Sequence, residues 1–76
     1  MTIKYNLYSS EGCHLCEEAL ALFKNAKPLN EINIIDIVED DKLVELYGIS
    51  IPVLESINSD KKLFWPFTQE QINQLT

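Results

Sequence analysis

Both cysteines of the chain lie three positions apart, as Cys13 and Cys16, and the only histidine, His14, lies between them. Two residues three positions apart on a helix share one face, with Cα atoms about 5 Å apart. A disulfide needs a Cα separation of about 4.4 to 6.8 Å. The two thiols can therefore close a bridge without unravelling a helix, and the spacing predicts a redox-active pair.

The two cysteines occupy different positions on the helix that the sequence predicts to start here. Cys13 lies at the start, where unpaired N–H groups and the positive end of the helix dipole stabilise a thiolate. Cys16 lies one turn further in. We therefore expect Cys13 to be the attacking nucleophile and Cys16 to be the resolving thiol. A protonated His14 would favour the thiolate and the charge of Glu17 would oppose it, so we expect both side chains to modulate Cys13.

Metal binding is the sharpest alternative for the same residues. A closed zinc site needs about four ligands, and the chain offers Cys13, Cys16 and, less well placed, His14. We therefore predict no structural metal site within one chain. A soft-metal-binding module that uses the two thiolates remains an alternative. Two further alternatives are a non-catalytic interaction protein and a pair of buried cysteines that have this spacing by chance.

Composition limits the class of protein. The chain has 76 residues, 46% apolar and 24% charged, which is typical of a globular protein, and we predict one monomeric domain over residues 1–76. The net charge is -6 and every basic residue is Lys, which argues against a nucleic-acid partner.

No apolar run approaches the roughly 18 residues of a membrane span, and the first eight residues alternate instead of forming a signal peptide. We therefore expect a cytoplasmic protein, and two cysteines in such a reducing compartment are more often catalytic or metal-binding than a structural staple.

The first half of the chain predicts a strand, a helix and a second strand. Ile3, Tyr5 and Leu7 alternate with polar or less apolar residues, as in a strand with one face more buried. A helical stripe follows and stops before Pro28; its apolar positions are Leu15, Ala19, Leu22 and Phe23. The β-branched run 32–38 predicts a strand that is covered on both faces, as in the centre of a parallel sheet. Together these elements predict a right-handed βαβ unit.

The second half predicts a short helix, a hairpin and a final helix. Asp40 or Asp41 can cap the short helix, and Gly48 suits its C′ position. Its expected inward residues are Leu43, Leu46 and Tyr47. Segments 51–54 and 63–65 predict two strands, joined by the turn-forming residues 58–60.

The last helix carries the clearest local signal. Residues 68–71, with the sequence Thr-Gln-Glu-Gln, fit a capping box, and Phe67 and Ile72 lie where a hydrophobic staple would place them. We expect this helix to be short and to bury Ile72 and Leu75.

Three stretches carry a family resemblance: residues 7–16 around the Cys-x-x-Cys, the strand that contains Asp36, and the segment Tyr47-Gly-Ile-Ser-Ile-Pro-Val-Leu54. Together they resemble the glutaredoxin-like branch of the thioredoxin-fold proteins. The resemblance implies an α/β thioredoxin-like fold of order βαβ-α-ββα, with a central mixed four-stranded sheet flanked by helices. It also implies thiol–disulfide oxidoreductase activity.

The resemblance extends to the substrate side of the site. It implies that Pro52 follows a cis peptide bond and faces the cysteines, and that the backbone of Ile51 pairs with an extended substrate as an added strand. Tyr8, at the end of the first strand, is a further candidate for substrate contact. The implied partners are a protein disulfide or a small thiol, together with an external reductant.

The chain departs from typical glutaredoxins where glutathione would bind. Typical members carry a basic residue shortly before the first cysteine, where this chain has residues 9–11, Ser-Ser-Glu. They also carry a Gly-Gly pair and an Asp after the hairpin, where this chain has residues 63–68. The segment Trp65-Pro-Phe67 is similar to small glutaredoxin-like proteins of unassigned physiological role. We therefore expect no bound cofactor, with Lys61 and Lys62 as the remaining positions that could hold glutathione.

We predict that the pKa of the Cys13 thiol in the reduced protein lies below the free value of about 8.5 and well above about 3.5, the lowest value known for such motifs. The helix start lowers this pKa by about one unit, while Glu11, Glu17 and Glu18 oppose the thiolate. Thiolate absorbance during a pH titration measures it. An apparent pKa under about 5 would show that the acidic neighbours have no influence.

Overall fold

The computed structural model describes residues 3–75. The predicted domain covers residues 1–76, and three of these residues, Met1, Thr2 and Thr76, lie outside the described part of the chain. The elements follow the predicted order: β1 (Tyr5–Ser9), α1 (His14–Ala26), β2 (Ile32–Asp36), α2 (Asp41–Tyr47), β3 (Val53–Ser56), β4 (Lys61–Phe64) and α3 (Gln69–Gln74). Two short 3-10 turns, Leu29–Glu31 and Ile37–Glu39, flank β2.

The strands form the predicted mixed four-stranded sheet, in the order β2-β1-β3-β4. β1 pairs in parallel with β2 and antiparallel with β3, and β3 pairs antiparallel with β4. Leu7 packs with α1 and α3 on one face of the sheet, whereas the next residue, Tyr8, packs with α2 on the other, because successive strand side chains point to opposite faces. The helices therefore cover both faces. β1 starts at Tyr5, later than predicted, and Ile3 before it is 43% exposed.

The prediction that β2 is covered on both faces is wrong. β2 is an edge strand with β1 as its only neighbour in the sheet, and its Ile34 is 51% exposed. β-branched composition records how well a segment fits an extended, pleated surface and does not say how many neighbours it has. In this fold the β3–β4 hairpin lies on the far side of β1, which leaves β2 at the edge.

Helix α1 buries the predicted stripe except at Leu15, with Leu22 half-buried against the core. Ala19 and Phe23 are buried as expected, but Leu15 is 44% exposed and buried Cys16 takes the inward position instead. Cys16, Ala19 and Phe23 follow the spacing i, i+3, i+7, which is one helix face. The helix therefore turns its resolving-thiol candidate toward the sheet and leaves Leu15 in solvent.

Helix α2 turns only part of its predicted inward stripe toward the core. Tyr47 is buried and Leu43 is half-buried, because these two lie one turn apart on the same face. Leu46 is 67% exposed, so its predicted inward position is wrong. Asp40 caps the helix as expected, by accepting a hydrogen bond from the Lys42 N–H at 2.9 Å. Gly48 closes α2 in a right-handed conformation with φ of -51°, not in the left-handed one usual at C′.

The C-terminal part confirms the predicted capping box. The Thr68 hydroxyl accepts from the Gln71 N–H at 3.2 Å, and the Gln71 side chain accepts from the Thr68 N–H at 2.8 Å. Phe67, Ile72 and Leu75 are buried in the cluster that α1 also joins. Both hairpin strands are shifted from their predicted bounds: β3 begins two residues later, at Val53, and β4 begins two residues earlier, at Lys61. The Tyr5 hydroxyl donates to the Leu75 carbonyl at 3.1 Å and so links β1 to the end of α3.

We predict that Thr68→Ala lowers the free energy of unfolding by about 1 kcal/mol, because it removes the hydroxyl that caps α3. For a domain of this size the melting temperature would fall by about 4 to 8 °C. Urea and thermal unfolding measure both changes. Thr68→Ser keeps the hydroxyl and is the matched control. Equal stability of the Ala and Ser variants would contradict a role for the cap.

Candidate redox site

A tight turn connects β1 to α1 and places the first cysteine. Gly12 adopts a φ of +81°, a left-handed conformation that glycine adopts without strain. The N–H of the next residue, Cys13, donates to the Ser10 carbonyl at 3.3 Å. Cys13 is the N-cap of α1, and its Sγ accepts a hydrogen bond from the Cys16 N–H at 3.1 Å. The predicted position of Cys13 at the helix start is therefore confirmed.

The two cysteines are joined by a disulfide, and their Cα atoms are 5.3 Å apart, close to the separation expected from their spacing. Their exposure differs. Cys13 is half-buried, whereas Cys16 is only 6% exposed. The sulfur of Cys13 is therefore the one that a partner molecule meets first.

The two predicted modulating residues lie in solvent beside the disulfide. The His14 Nδ1 is 3.8 Å from the Glu17 Oε2, and the side chains are 94% and 82% exposed. Water screens such exposed pairs strongly. Their predicted influence on Cys13 stays a prediction.

Pro52 and Ile51 lie at the same end of the sheet as the cysteines. Val53 pairs with Tyr8 near the end of β1, so the residues before Val53 lie beside the segment that leads to Cys13. The Ile51–Pro52 peptide bond is cis, as the resemblance implies. The Ile51 N–H donates to the Tyr47 carbonyl at 3.1 Å, so pairing with a substrate strand, still a prediction, would have to use the Ile51 carbonyl.

Tyr8 belongs to a polar network on the α2 face. Its side chain is 8% exposed and packs on the Tyr47 ring with centroids 4.7 Å apart. Its hydroxyl donates to the Glu55 Oε1 at 2.8 Å, and the Asn6 amide donates to the same oxygen at 3.1 Å. The Lys62 ammonium is 4.0 Å from the other carboxylate oxygen. Contact between Tyr8 and a substrate stays a prediction, since little of its side chain reaches solvent.

Burial, together with the hydrogen bond and the charge of Glu55, raises the pKa of Tyr8 to about 12. Both causes disfavour the negative phenolate next to a carboxylate in a poorly solvated position. Sequence reasoning did not find Glu55. Its position gave the available signal. Val53 is the pairing partner of Tyr8, and Glu55, two residues later in β3, points to the same face of the sheet.

A cavity of about 140 Å³ opens beside the disulfide. Its walls come from β1, the turn after it, α1 and β2, and they include both cysteines and Glu17. Tyr8, Ile51 and Pro52 do not line it. The structure thus places Glu17 in the cavity wall, whereas Ile51 and Pro52 lie just before β3 and Tyr8 faces α2 on the opposite side of the sheet. Sequence reasoning missed this cavity because it depends on the exposed edge of β2.

Across residues 3–75, no group of three or more His, Cys, Asp or Glu side chains is arranged to hold a metal ion. In the same part of the chain, no helix combines the length and apolar character that crossing a membrane requires.

A Cys-x-x-Cys at the start of a helix that packs on a mixed four-stranded sheet is the arrangement of the thioredoxin-fold proteins. Residues 4–75 match the family model of the glutaredoxin-like domain (DUF836). The chain therefore belongs to this glutaredoxin-like family, and the predicted resemblance is confirmed. No curated protein matches the chain.

Solved structures support the same conclusion. The X-ray structure of target protein XcR50 from X. campestris is 28% identical, with 92% of this chain and 91% of that chain covered and a TM-score of 0.82. The solution NMR structure of protein Ne2328 from Nitrosomonas europaea is 35% identical, with coverages of 96% and 91% and a TM-score of 0.73. Thioredoxin 1 from Thermosipho africanus TCF52B is 16% identical, with coverages of 99% and 89% and a TM-score of 0.67. The predicted α/β thioredoxin-like fold is confirmed.

We predict that the stability of the oxidised protein falls between pH 10 and pH 12 because of Tyr8. The phenol ionises near 10.0 in the unfolded chain but only at about 12 in the folded one. Its stabilising contribution is therefore complete below pH 10 and is lost as the pH rises toward 12. At its steepest, near pH 11, this loss is about 1 kcal/mol per pH unit.

Urea unfolding at several pH values from 8 to about 11 measures this slope. Tyr8→Phe removes the ionising group, so we expect its stability to decline less steeply than that of the parent protein. The slopes are compared, since the variant also loses a hydrogen bond at every pH. Parallel slopes would contradict the assignment to Tyr8.

Proposed function

We propose that this protein is a thiol–disulfide oxidoreductase in which Cys13 attacks the substrate and Cys16 resolves the intermediate. The observation that carries the proposal is the difference between the two sulfurs. Cys13 is half-buried at the helix N-cap, and Cys16 is buried one turn further in. An accessible thiolate at a helix start and a sheltered partner within bonding reach are what a two-step exchange requires.

In the first step, the Cys13 thiolate of the reduced protein attacks one sulfur of the substrate disulfide. A bond forms between Cys13 Sγ and that sulfur, the substrate S–S bond breaks, and the second substrate sulfur leaves as a thiolate that takes a proton from water. The Cys16 N–H, which donates to Cys13 Sγ at 3.1 Å, would stabilise the negative sulfur before attack. The product of this step is a mixed disulfide at Cys13.

In the second step, the Cys16 thiolate attacks Cys13 Sγ and displaces the remaining substrate half as a thiolate. The Cα separation of 5.3 Å lets this bond form without a change in α1. Two electrons have then passed from the protein dithiol to the substrate, and the protein holds the Cys13–Cys16 disulfide. A thiol reductant from outside the chain must restore the dithiol in each cycle.

We further propose that glutathione is not the preferred substrate or reductant. The basic candidates for holding its carboxylates are remote from the disulfide. Lys61 pairs with Ser56, which pairs with Tyr5 at the start of β1, and β1 spans about 13 Å from there to Ser9. Lys62 already faces the Glu55 carboxylate. The residues nearest the disulfide contribute negative charge instead, from Glu11 and Glu17.

Replacing the resolving thiol tests the proposal. We predict that reduced Cys16→Ser accumulates a stable mixed disulfide at Cys13 when mixed with hydroxyethyl disulfide, because the second step is no longer available. Intact-mass measurement would show one added substrate half per chain. The matched control, Cys13→Ser/Cys16→Ser, should gain no mass.

Three results would count against the proposed activity. Failure of Cys16→Ser to gain mass, or an equally fast gain of mass through Cys16 in a Cys13→Ser variant, would contradict the assignment of Cys13 as the nucleophile. A tightly held metal in the aerobically purified parent protein would favour a soft-metal-binding module. Unchanged partner binding and cellular effect in Cys13→Ser would favour a non-catalytic interaction protein.

A further inference from the structure

The cavity beside the disulfide has an apolar floor that is incompletely covered. Leu7 of β1 and Ile34 of β2 are direct neighbours in the parallel ladder and point to the same face. Leu20 of α1 closes one wall. Leu7 is only 2% exposed, but Ile34 is 51% exposed. Apolar surface thus reaches solvent immediately beside the reacting sulfurs.

A carboxylate lies on the same side of α1 as this apolar wall. Cys13, Glu17 and Leu20 follow one another at spacings of four and three residues and all line the cavity. Side chains at these spacings lie on one helix face, with Cβ atoms about 5 to 6 Å apart. Going along the helix, a ligand would therefore meet a sulfur, then a negative charge, then an apolar surface.

No lysine offsets this charge at the cavity within the part of the chain that the structure describes. Lys24 and Lys27 lie at the far end of α1, about 15 Å or more along the helix from Cys13. Lys42 is in α2, on the opposite face of the sheet. The protein as a whole carries a net charge of -6. Glu17 is therefore the charged side chain that the cavity lining presents to an approaching disulfide.

We propose that this cavity receives the side chain of a lysine or arginine adjacent to the reacting cysteine of a peptide or protein substrate, with Glu17 as the specificity-determining residue. The proposal rests on the oxidoreductase function proposed above. The methylene stem of such a side chain would cover Ile34 and Leu20, and its charged end would reach the Glu17 carboxylate. A cavity of about 150 Å³ is known to hold a six-carbon ring, so one of about 140 Å³ has room for the stem.

The expected effect is modest because Glu17 is 82% exposed. Exposed ion pairs contribute about 0.2 to 1 kcal/mol, which corresponds to a rate ratio of up to about fivefold. We therefore expect a graded preference among substrates and not an absolute requirement for a basic residue.

Three acetylated, amidated tripeptide disulfides test the preference: Lys-Cys-Lys, norleucine-Cys-norleucine and Glu-Cys-Glu. Norleucine keeps an apolar chain of similar length and removes the charge. The rate constant of each with the reduced protein is divided by its rate constant with dithiothreitol, which corrects for the intrinsic reactivity of the disulfide. We expect the normalised rates to fall in the order in which the peptides are named.

Two charge-neutralising variants separate the local carboxylate from the overall charge. Glu17→Gln should lower the lysine-to-norleucine ratio about two- to fivefold. Glu70→Gln removes the same charge from α3, outside the cavity lining, and should leave that ratio nearly unchanged. Ile34→Ser should lower the rates of the lysine and norleucine peptides together, since both would lose the same apolar contact.

The outcomes separate this inference from the underlying function. Equal normalised rates for all three peptides, equal effects of Glu17→Gln and Glu70→Gln, or no effect of Ile34→Ser would each overturn the cavity assignment while leaving disulfide exchange intact. If the reduced protein fails to exchange with every peptide while dithiothreitol succeeds, the proposed oxidoreductase function itself is overturned.

Discussion

The central strand β1 pairs with β2 on one side and with β3 on the other, and its two faces are covered by α1 and α2. Because two paired strands and two covering helices surround β1, the position of its last residue, Ser9, is fixed. Cys13 follows only four residues later. The same pairing sets Val53 beside Tyr8 and so brings Pro52 to this end of the sheet. The register of one strand thus positions both sides of the redox site, although they are distant in sequence.

Signals that act over a few residues were readable from the sequence. The cap formed by Cys13, the capping box at Thr68 and the order of the elements each depend on neighbours within one helical turn or one strand. The inward or outward direction of Leu15 and Leu46 was not readable, because it depends on which face the rest of the fold covers. Sequence composition likewise could not place β2 at an edge, since that depends on where the β3–β4 hairpin packs.

The same difference between short-range and long-range contacts applies to the residues of the redox site. Cys13 and Cys16 are three residues apart, and their separation followed from helix geometry alone. The contact between Tyr8 and Glu55 joins residues 47 positions apart, and the cavity joins β1, α1 and β2. Such features exist only after the strands have paired. Chemistry carried by one helical turn could therefore be predicted from the sequence, whereas the surroundings that select a substrate needed the structure.

The hydrogen bond from the Tyr5 hydroxyl to the Leu75 carbonyl, buried and spanning 70 positions, joins the first strand to the segment that follows the last helix. The cluster around Tyr5 is completed by Phe67, Ile72 and Leu75, so the early βαβ unit cannot close its own interior. Removing α3 would therefore expose this apolar interior, and β1, whose end positions the redox site, would lose part of the support on one of its faces.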